Sequence, residues 1–352
     1  MNKIYQMCLM SIIGIFVLAS CSSDEDYGYT HVNSVSVVKS DVIFSAGGGD
    51  GYIDVEAPGD ISINYNPGWY QASVEGHRVN IKASINEHLV GRASQVTIFC
   101  GSDSINITIQ QRGPVFKFSG DAEIGMTDLS AKNVYTLEHD IPLDITTSEK
   151  WLHATLDGDQ LIMTAEDNLT GHIRSGWVKY SKGEFADSIK VSQFDYDKDL
   201  SGKYDINYLD YNGSSAVEPV TMGRDADGNT ILTFDNYGLQ VPIIVTSAGV
   251  LQVLANQYCG QHFGYYIFSS FTTATGAVIV MDRLGIESPF YYTDDKGTYT
   301  DLQAMHAWAE SGAGTYANWD LMMCEKKELS FESYKFNLLQ MSNANLVKKK
   351  KQ

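Results

Sequence analysis

Apolar and polar residues alternate with period two along most of this chain. His77 to Ile85 reads HRVNIKASI, Gln95 to Phe99 reads QVTIF, and Ile105 to Gln111 reads INITIQQ. Gln160 to Glu166 (QLIMTAE) and Ser188 to Phe194 (SIKVSQF) do the same. A period of two puts successive side chains on opposite faces of a strand, so each run predicts a half-buried β-strand. Turn signals part the runs: Val74-Glu75-Gly76, Gly101-Ser102-Asp103 and Leu156-Asp157-Gly158. Upstream, VIFSAGGGDGYIDVEAP (residues 42–58) predicts a strand pair joined by a glycine-rich turn. Gly47-Gly48-Gly49 is followed by neither Lys-Ser/Thr nor a helix, so a phosphate loop is not predicted.

A second pattern lies over the first. A shift of 82 lands Trp69 on Trp151, Gly76 on Gly158, Asn86 on Asn168, Arg92 on Arg174, Val96 on Val178, Gly101 on Gly183 and Gln111 on Gln193, without a gap. Chance does not hold one register over more than forty residues, so the chain contains a duplicated unit. Short strands at this spacing predict that each copy is a two-sheet antiparallel sandwich. Trp69 and Trp151 are expected to plug the two cores, and Arg92 and Arg174, which follow loops, to bond loop carbonyls.

The spacing Trp-Asn-Arg-Gln (Trp69, Asn86, Arg92, Gln111, then Trp151, Asn168, Arg174, Gln193), with a glycine-rich turn after the first strand, resembles the BACON domain. That family is associated with Bacteroidetes and is proposed to bind carbohydrate. The resemblance covers residues 34–113 and 114–195; the second copy departs at its start, where GPVFKFSGDAEIG has no glycine-rich turn. It implies immunoglobulin-like sandwiches that act as binding modules or as spacers. The N-terminus carries a second resemblance. Lys3 precedes an apolar run, Ile4 to Leu18, too short to span a bilayer as a helix. The run ends in Leu18-Ala19-Ser20-Cys21, similar to a bacterial lipobox. This implies a signal peptide over 1–20 and lipidation of Cys21, which would anchor the chain to outer-membrane lipid through a tether over 21–33. Ser22-Ser23-Asp24-Glu25-Asp26 resembles the export signal of surface lipoproteins, and equally suits a solvated tether.

Composition narrows the partners. Tyrosine is frequent at 21, glycine reaches 31, and helix-forming blocks are scarce, which favours all-β architecture. A formal net charge of −18 excludes nucleic acid as the expected partner, since phosphates demand a basic surface. Cys259 and Cys324 fall in one region and leave a disulfide open. Cys259 three residues before His262 is a metal-like spacing without a second pair, so neither metal nor cofactor is expected.

A short polar link, DYDKDLSG, follows the second copy, and residues 199–341 then predict a β-rich C-terminal domain, either a sandwich or a lipocalin-like barrel with one short helix. The helix is expected in DLQAMHAWAES, capped by Thr300, with Leu302, Met305 and Ala309 on one face. Asp227-Gly228-Asn229 predicts a hairpin turn, because a calcium loop would need carboxylates where Gly223 and Phe234 stand. Residues 342–352, ending VKKKKQ, read as a solvated basic tail.

The candidate chemistry lies in aromatic pairs. Tyr265-Tyr266 and Tyr291-Tyr292 each send one ring to either face of a strand, so some are expected at the surface, where flat rings stack on sugar C–H faces. Trp319, beside Asn318 and Asp320, is the further candidate for such a platform. Core packing competes for every one of these rings. Three functions follow: a non-catalytic surface glycan binder, a structural or adhesive surface protein, or a small hydrolase hidden in the C-terminal domain. The last needs two carboxylates facing across a bond, and no motif locates them.

Overall fold

The computed structural model describes residues 33–350; the expected signal peptide, the expected lipidation site Cys21 and most of the expected tether lie outside the described residues. The first eight strands are β1 Ser36–Asp41, β2 Ile43–Phe44, β3 Gly49–Glu56, β4 Ser62–Tyr65, β5 Tyr70–Glu75, β6 Arg78–Ala83, β7 Arg92–Cys100 and β8 Asp103–Gln111. They form two sheets, ordered β1-β3-β6-β5 and β2-β8-β7-β4. All ladders are antiparallel except the short β2–β8 pair. Ile53, Val79, Ile81, Val96, Ile98 and Ile109 fill the space between the sheets, each the inward member of its alternating run.

The next eight repeat the plan: β9 Phe116–Phe118, β10 Glu123–Met126, β11 Ala131–His139, β12 Asp144–Thr147, β13 Leu152–Asp157, β14 Gln160–Ala165, β15 Arg174–Lys182 and β16 Phe185–Gln193. The sheets are β13-β14-β11-β9 and β10-β16-β15-β12, and β10 again pairs in parallel with β16. From β4 to β8, every strand has a counterpart whose two ends both lie 82 residues on, as Tyr70–Glu75 does in Leu152–Asp157. Gly76 and Gly158 turn the same hairpin with φ of +57° and +54°, a conformation that disfavours a side chain. Together the two units are tandem immunoglobulin-like β-sandwiches.

Tyr196–Leu200 forms one turn of π-helix rather than a polar link, and it buries Asp199 and Leu200. The C-terminal domain then runs β17 Gly202–Leu209, β18 Ser215–Arg224, β19 Thr230–Phe234, β20 Leu239–Pro242, β21 Ile244–Val245, β22 Val250–Leu254, β23 Gln257–His262 and β24 Tyr265–Thr273. It continues with β25 Val278–Ile279, β26 Gly285–Pro289, β27 Tyr291–Thr293, β28 Gly297–Asp301, β29 Gln303–Ala304, helix α1 His306–Glu310, β30 Tyr316–Cys324 and β31 Tyr334–Lys348. Eight strands make an antiparallel ribbon, β20-β19-β18-β17-β31-β30-β24-β23. The ribbon rolls until its ends meet: a side chain on Gly260 of β23 would touch Leu239 of β20. The result is a barrel filled by Tyr204, Phe234, Phe271, Trp319, Leu321 and Met341. A small sheet, β21-β22-β26-β29, packs beside it.

Two expectations for this domain are corrected, and the disulfide left open by the sequence is resolved. Thr300 does not cap a helix: it is buried in β28, paired with Leu346, and only His306–Glu310 is helical, with Trp308 its one buried residue. The basic tail begins later than residue 342, because β31 runs to Lys348 and pairs with β17 on one side and β30 on the other. Cys100, Cys259 and Cys324 are free. Cys259 points into the barrel core, whereas Cys324 joins a satellite cluster with Phe268, Met322 and Leu329, so no bridge spans them.

The two junctions between domains are built differently. Between the sandwiches the contacts are polar: the Asp140 carboxylate accepts from Ala46 N at 3.4 Å, His88 Nδ1 lies 3.1 Å from Glu184, and Lys182 lies 3.7 Å from Glu87. Between the second sandwich and the barrel the contact is apolar and close. Ile173 belongs to the barrel's own core cluster, and a side chain on Gly125 would collide with the Ser247 carbonyl.

Candidate functional site: an aromatic cleft at the second junction

The repeated residues resolve first. Trp69 and Trp151 do not plug the cores; they are half-buried at the sandwich edge, and the residues after them, Tyr70 and Leu152, go inside. Alternation explains this, since β5 and β13 start one residue later, with the inward-facing positions. Each Trp is faced by its repeat arginine, Arg92 at 4.9 Å and Arg174 at 4.3 Å from the ring. Each Arg Nε donates to the repeat glutamine, Gln111 or Gln193, at 2.8 Å. The second arginine nitrogen donates to loop carbonyls, Ile85 O at 3.1 Å or Glu166 O at 2.7 Å, as expected. Asn86 and Asn168 tie their own loops to the chain ends at Arg112 O and Gln193 O. Burial pushes both guanidinium pKa values down, and the hydrogen bonds from Nε and the second nitrogen offset part of that cost. The motif is a structural clasp present in both copies.

Around the second clasp something more is built. Glu123 on β10, Lys190 on β16 and Trp177 on β15 are directly opposite one another across neighbouring strands. They sit on the outer face of their sheet, because Ile124, Val178, Ile189 and Val191 take the inner one. Lys190 Nζ lies 3.5 Å from Glu123 Oε1 and 5.8 Å from the centre of the Tyr291 ring. Its side chain is only 11% exposed, because the barrel's Pro289–Tyr292 segment covers it. Gly176 leaves room for Glu149 and Trp151, both of which a side chain there would crowd. Tyr292 stacks on His172 with ring centres 3.4 Å apart and planes 5° from parallel.

These groups enclose a cleft of about 540 Å³ between the second sandwich and the barrel. Its walls carry Trp151, Trp177, Phe290, Tyr291 and Tyr292 besides the His172 ring, and its polar groups include Glu123, Glu149, Arg174 and Lys190. Trp177, Tyr291 and Tyr292 remain 42%, 43% and 41% exposed, unusual for rings this large and this close together. Burial, and then the negative charge of Glu123, raises the Tyr291 hydroxyl's pKa, so it stays a neutral donor. Such a cleft can hold a flat, C–H-rich ring against aromatic faces while carboxylates and ammonium groups meet the ring's edge hydroxyls.

Of the residues singled out from sequence, the cleft brings together Tyr291 and Tyr292. Tyr265 packs on the barrel core beside Phe336, and Tyr266 faces the satellite cluster near Tyr258. Trp319 is fully buried, its Nε1 donating to Ser269 Oγ at 2.7 Å, so it offers no face to a ligand. Its neighbour Asp320 is buried too, bonded to Thr272 and Asn337, and burial pushes its pKa up to about 7. Trp151, His172, Trp177 and Lys190 were missed. The available signal was a departure from the repeat: where copy two has His172, Trp177 and Lys190, copy one has Val90, Gln95 and Thr108.

No family model matches the chain, and no curated protein matches it significantly. Among solved structures, a tandem of titin domains I9–I11 is 8% identical over 77% of this chain and 95% of its own, with a TM-score of 0.31. An endo-fucoidan hydrolase of glycoside hydrolase family 107 is 12% identical over 49% of this chain, with a TM-score of 0.26. The aligned part spans 30% of that enzyme. A second structure of that hydrolase is 9% identical over 65% of this chain and 40% of its own, with a TM-score of 0.23. Likeness at this level carries no argument about what the chain does.

Proposed function

We propose that this chain is a non-catalytic glycan-binding protein whose binding site is the cleft between the second sandwich and the barrel. In this reading the BACON-like sandwiches are a stalk, Cys21 carries the lipid anchor, and the barrel stands at the cell surface with the cleft at its base. The observation that carries the reading is the grouping of Trp151, Trp177, Tyr291 and Tyr292 around one hollow, with Glu123 and Lys190 fixed as a polar pair in its wall. Exposed rings cost free energy in water, on the order of 1.5–3 kcal/mol for each large apolar side chain left unburied. Three such rings around one cleft make sense as a surface that a partner covers.

Glu123 and Glu149 are two carboxylates in one cleft, the minimum for glycoside hydrolysis. Glu123, however, is committed to Lys190, an arrangement suited to holding hydroxyls in place. The test is a glycan array with the wild-type chain and with Trp177→Ala and Trp69→Ala. Binding is expected for the wild type and for Trp69→Ala, and loss for Trp177→Ala. No binding by any form would reject the glycan reading, and shortening of a bound oligosaccharide on incubation would reject the non-catalytic one.

A further inference from the structure

The cleft does not end at Tyr292. The stacked His172 and Tyr292 line it on one side and, on the other, line a second hollow of about 520 Å³. That hollow is lined by Lys198, Lys348, Lys349 and Lys350 and, among the described residues, by no carboxylate. Lys198 comes from the π-helical turn, Lys348 ends β31 and Lys349 and Lys350 follow it, so the barrel's last strand and the turn before its first bring four ammonium groups to one place. Lys198 Nζ is held by Asp128 Oδ2 at 2.9 Å and Asn168 O at 2.8 Å, Lys348 Nζ donates to Asp199 O at 2.6 Å, and Lys349 Nζ lies 2.7 Å from Asp205. Asp128 and Asp205 offset part of the charge without lining the hollow, and Lys350 is exposed.

The concentration stands against the rest of the molecule. The whole chain has 25 Lys and Arg against 43 Asp and Glu, and four of the cations share this hollow. A protein with that balance repels polyanions from most of its surface, so a local cationic hollow both selects and orients an anionic group.

We infer that the lysine hollow is an anion subsite of the cleft, and that the chain's ligand is a glycan bearing sulfate or carboxylate groups. The inference rests on the glycan reading above. One sugar ring lies among Trp151, Trp177 and Tyr291, and the anionic substituent crosses the His172–Tyr292 wall to reach Lys350 and its neighbours.

The experiment measures equilibrium binding of the purified full chain to neutral polysaccharides, to the same polymers after chemical sulfation or oxidation to uronic acids, and to inorganic sulfate. The charged polymers are expected to bind about tenfold tighter than their neutral parents at low salt. That advantage should shrink once the Debye length falls to about 3–5 Å at high salt. Lys350→Glu, at an exposed position, should remove the preference and leave neutral binding unchanged, while Trp177→Ala should weaken both. Equal affinity for charged and neutral forms would overturn the anion subsite and leave the cleft reading intact. Failure of every saccharide would overturn both. Inorganic sulfate should bind weakly and compete with the sulfated polymer, whereas binding of the sulfated polymer that survives Trp177→Ala undiminished would mark an independent anion site and overturn the continuity claimed here.

Discussion

Trp69 and Trp151 hold the same position in two copies of one fold, stack on the same arginine and sit beside the same hydrogen-bonded glutamine. Their surroundings differ. The hollow beside Trp69 is about 230 Å³ and is lined by its own strand neighbours, such as Gln71, Lys82 and Ser84. The one beside Trp151 is about 540 Å³, and a second domain supplies Tyr291 and Tyr292. Copy one has Pro67, Val90, Gln95 and Thr108 where copy two has Glu149, His172, Trp177 and Lys190. What the copies share, Trp151 and Arg174 included, maintains the sandwich, and what they do not share turns the edge of the second clasp into a cleft. Duplication therefore separates structural residues from candidate binding residues without any comparison to another protein.

The largest effect should come from making copy two resemble copy one at the junction. Gly125 corresponds to Ile43, which is 61% exposed and free of such crowding, whereas Gly125 is pressed against the Ser247 carbonyl. Gly125→Ile should cost about 3 kcal/mol or more of stability in the barrel's docking, following the cost of overpacking, and abolish cleft binding. Ile43→Gly should cost under about 1 kcal/mol. Urea melts followed by tryptophan fluorescence separate the two; equal costs would break the contrast between the junctions.

Next comes Asp320, buried in the barrel. Burial raises its pKa from 3.8 to about 7, so the folded state holds a proton that the unfolded state releases between those values. Its contribution is fully present below pH 3.8 and is lost as pH rises towards 7, on the order of 3–4 kcal/mol in all. Asp320→Asn keeps a neutral group among Thr272 and Asn337, so it should stabilise the barrel at pH 8 and flatten the fall between pH 5 and 8. An unchanged pH profile would count against a protonated Asp320.

The clasp itself predicts symmetry. Arg92→Ala and Arg174→Ala should each destabilise by about 2 kcal/mol, because each strands a glutamine oxygen and loop carbonyls. Calorimetry should find the two losses within about 1 kcal/mol of each other, with ligand affinity falling only for Arg174→Ala. The smallest stability effect belongs to Trp177→Ala, within about 0.5 kcal/mol for an exposed side chain, yet it should remove most of the binding.

The sandwiches were legible in the sequence because alternation and register survive in every strand from β4 to β8. Boundaries were less so: β31 extends through Ser342 to Lys348 because Asn345 and Leu346 pair with β17 and β28, a long-range contact that a lysine run hides. The helix expected in DLQAMHAWAES forms only over His306–Glu310 for the same reason, since pairing with β31 holds Thr300 in a strand against its capping propensity. Half of the cleft was legible as adjacent tyrosines. The other half lay in residues such as Trp177, whose outward position on β15 follows from alternation but whose neighbour across the cleft is more than a hundred residues away. Trp151 read as core because a lone strand Trp usually is.

Hydrogen–deuterium exchange on the saturated complex with whichever saccharide binds most tightly tests the central claim directly. Protection is expected at residues 172–177 and 289–292 together, with the matching segment of copy one, 90–95, unchanged. Protection at 90–95, or on the Tyr258–Tyr266 face instead of the cleft, would contradict it.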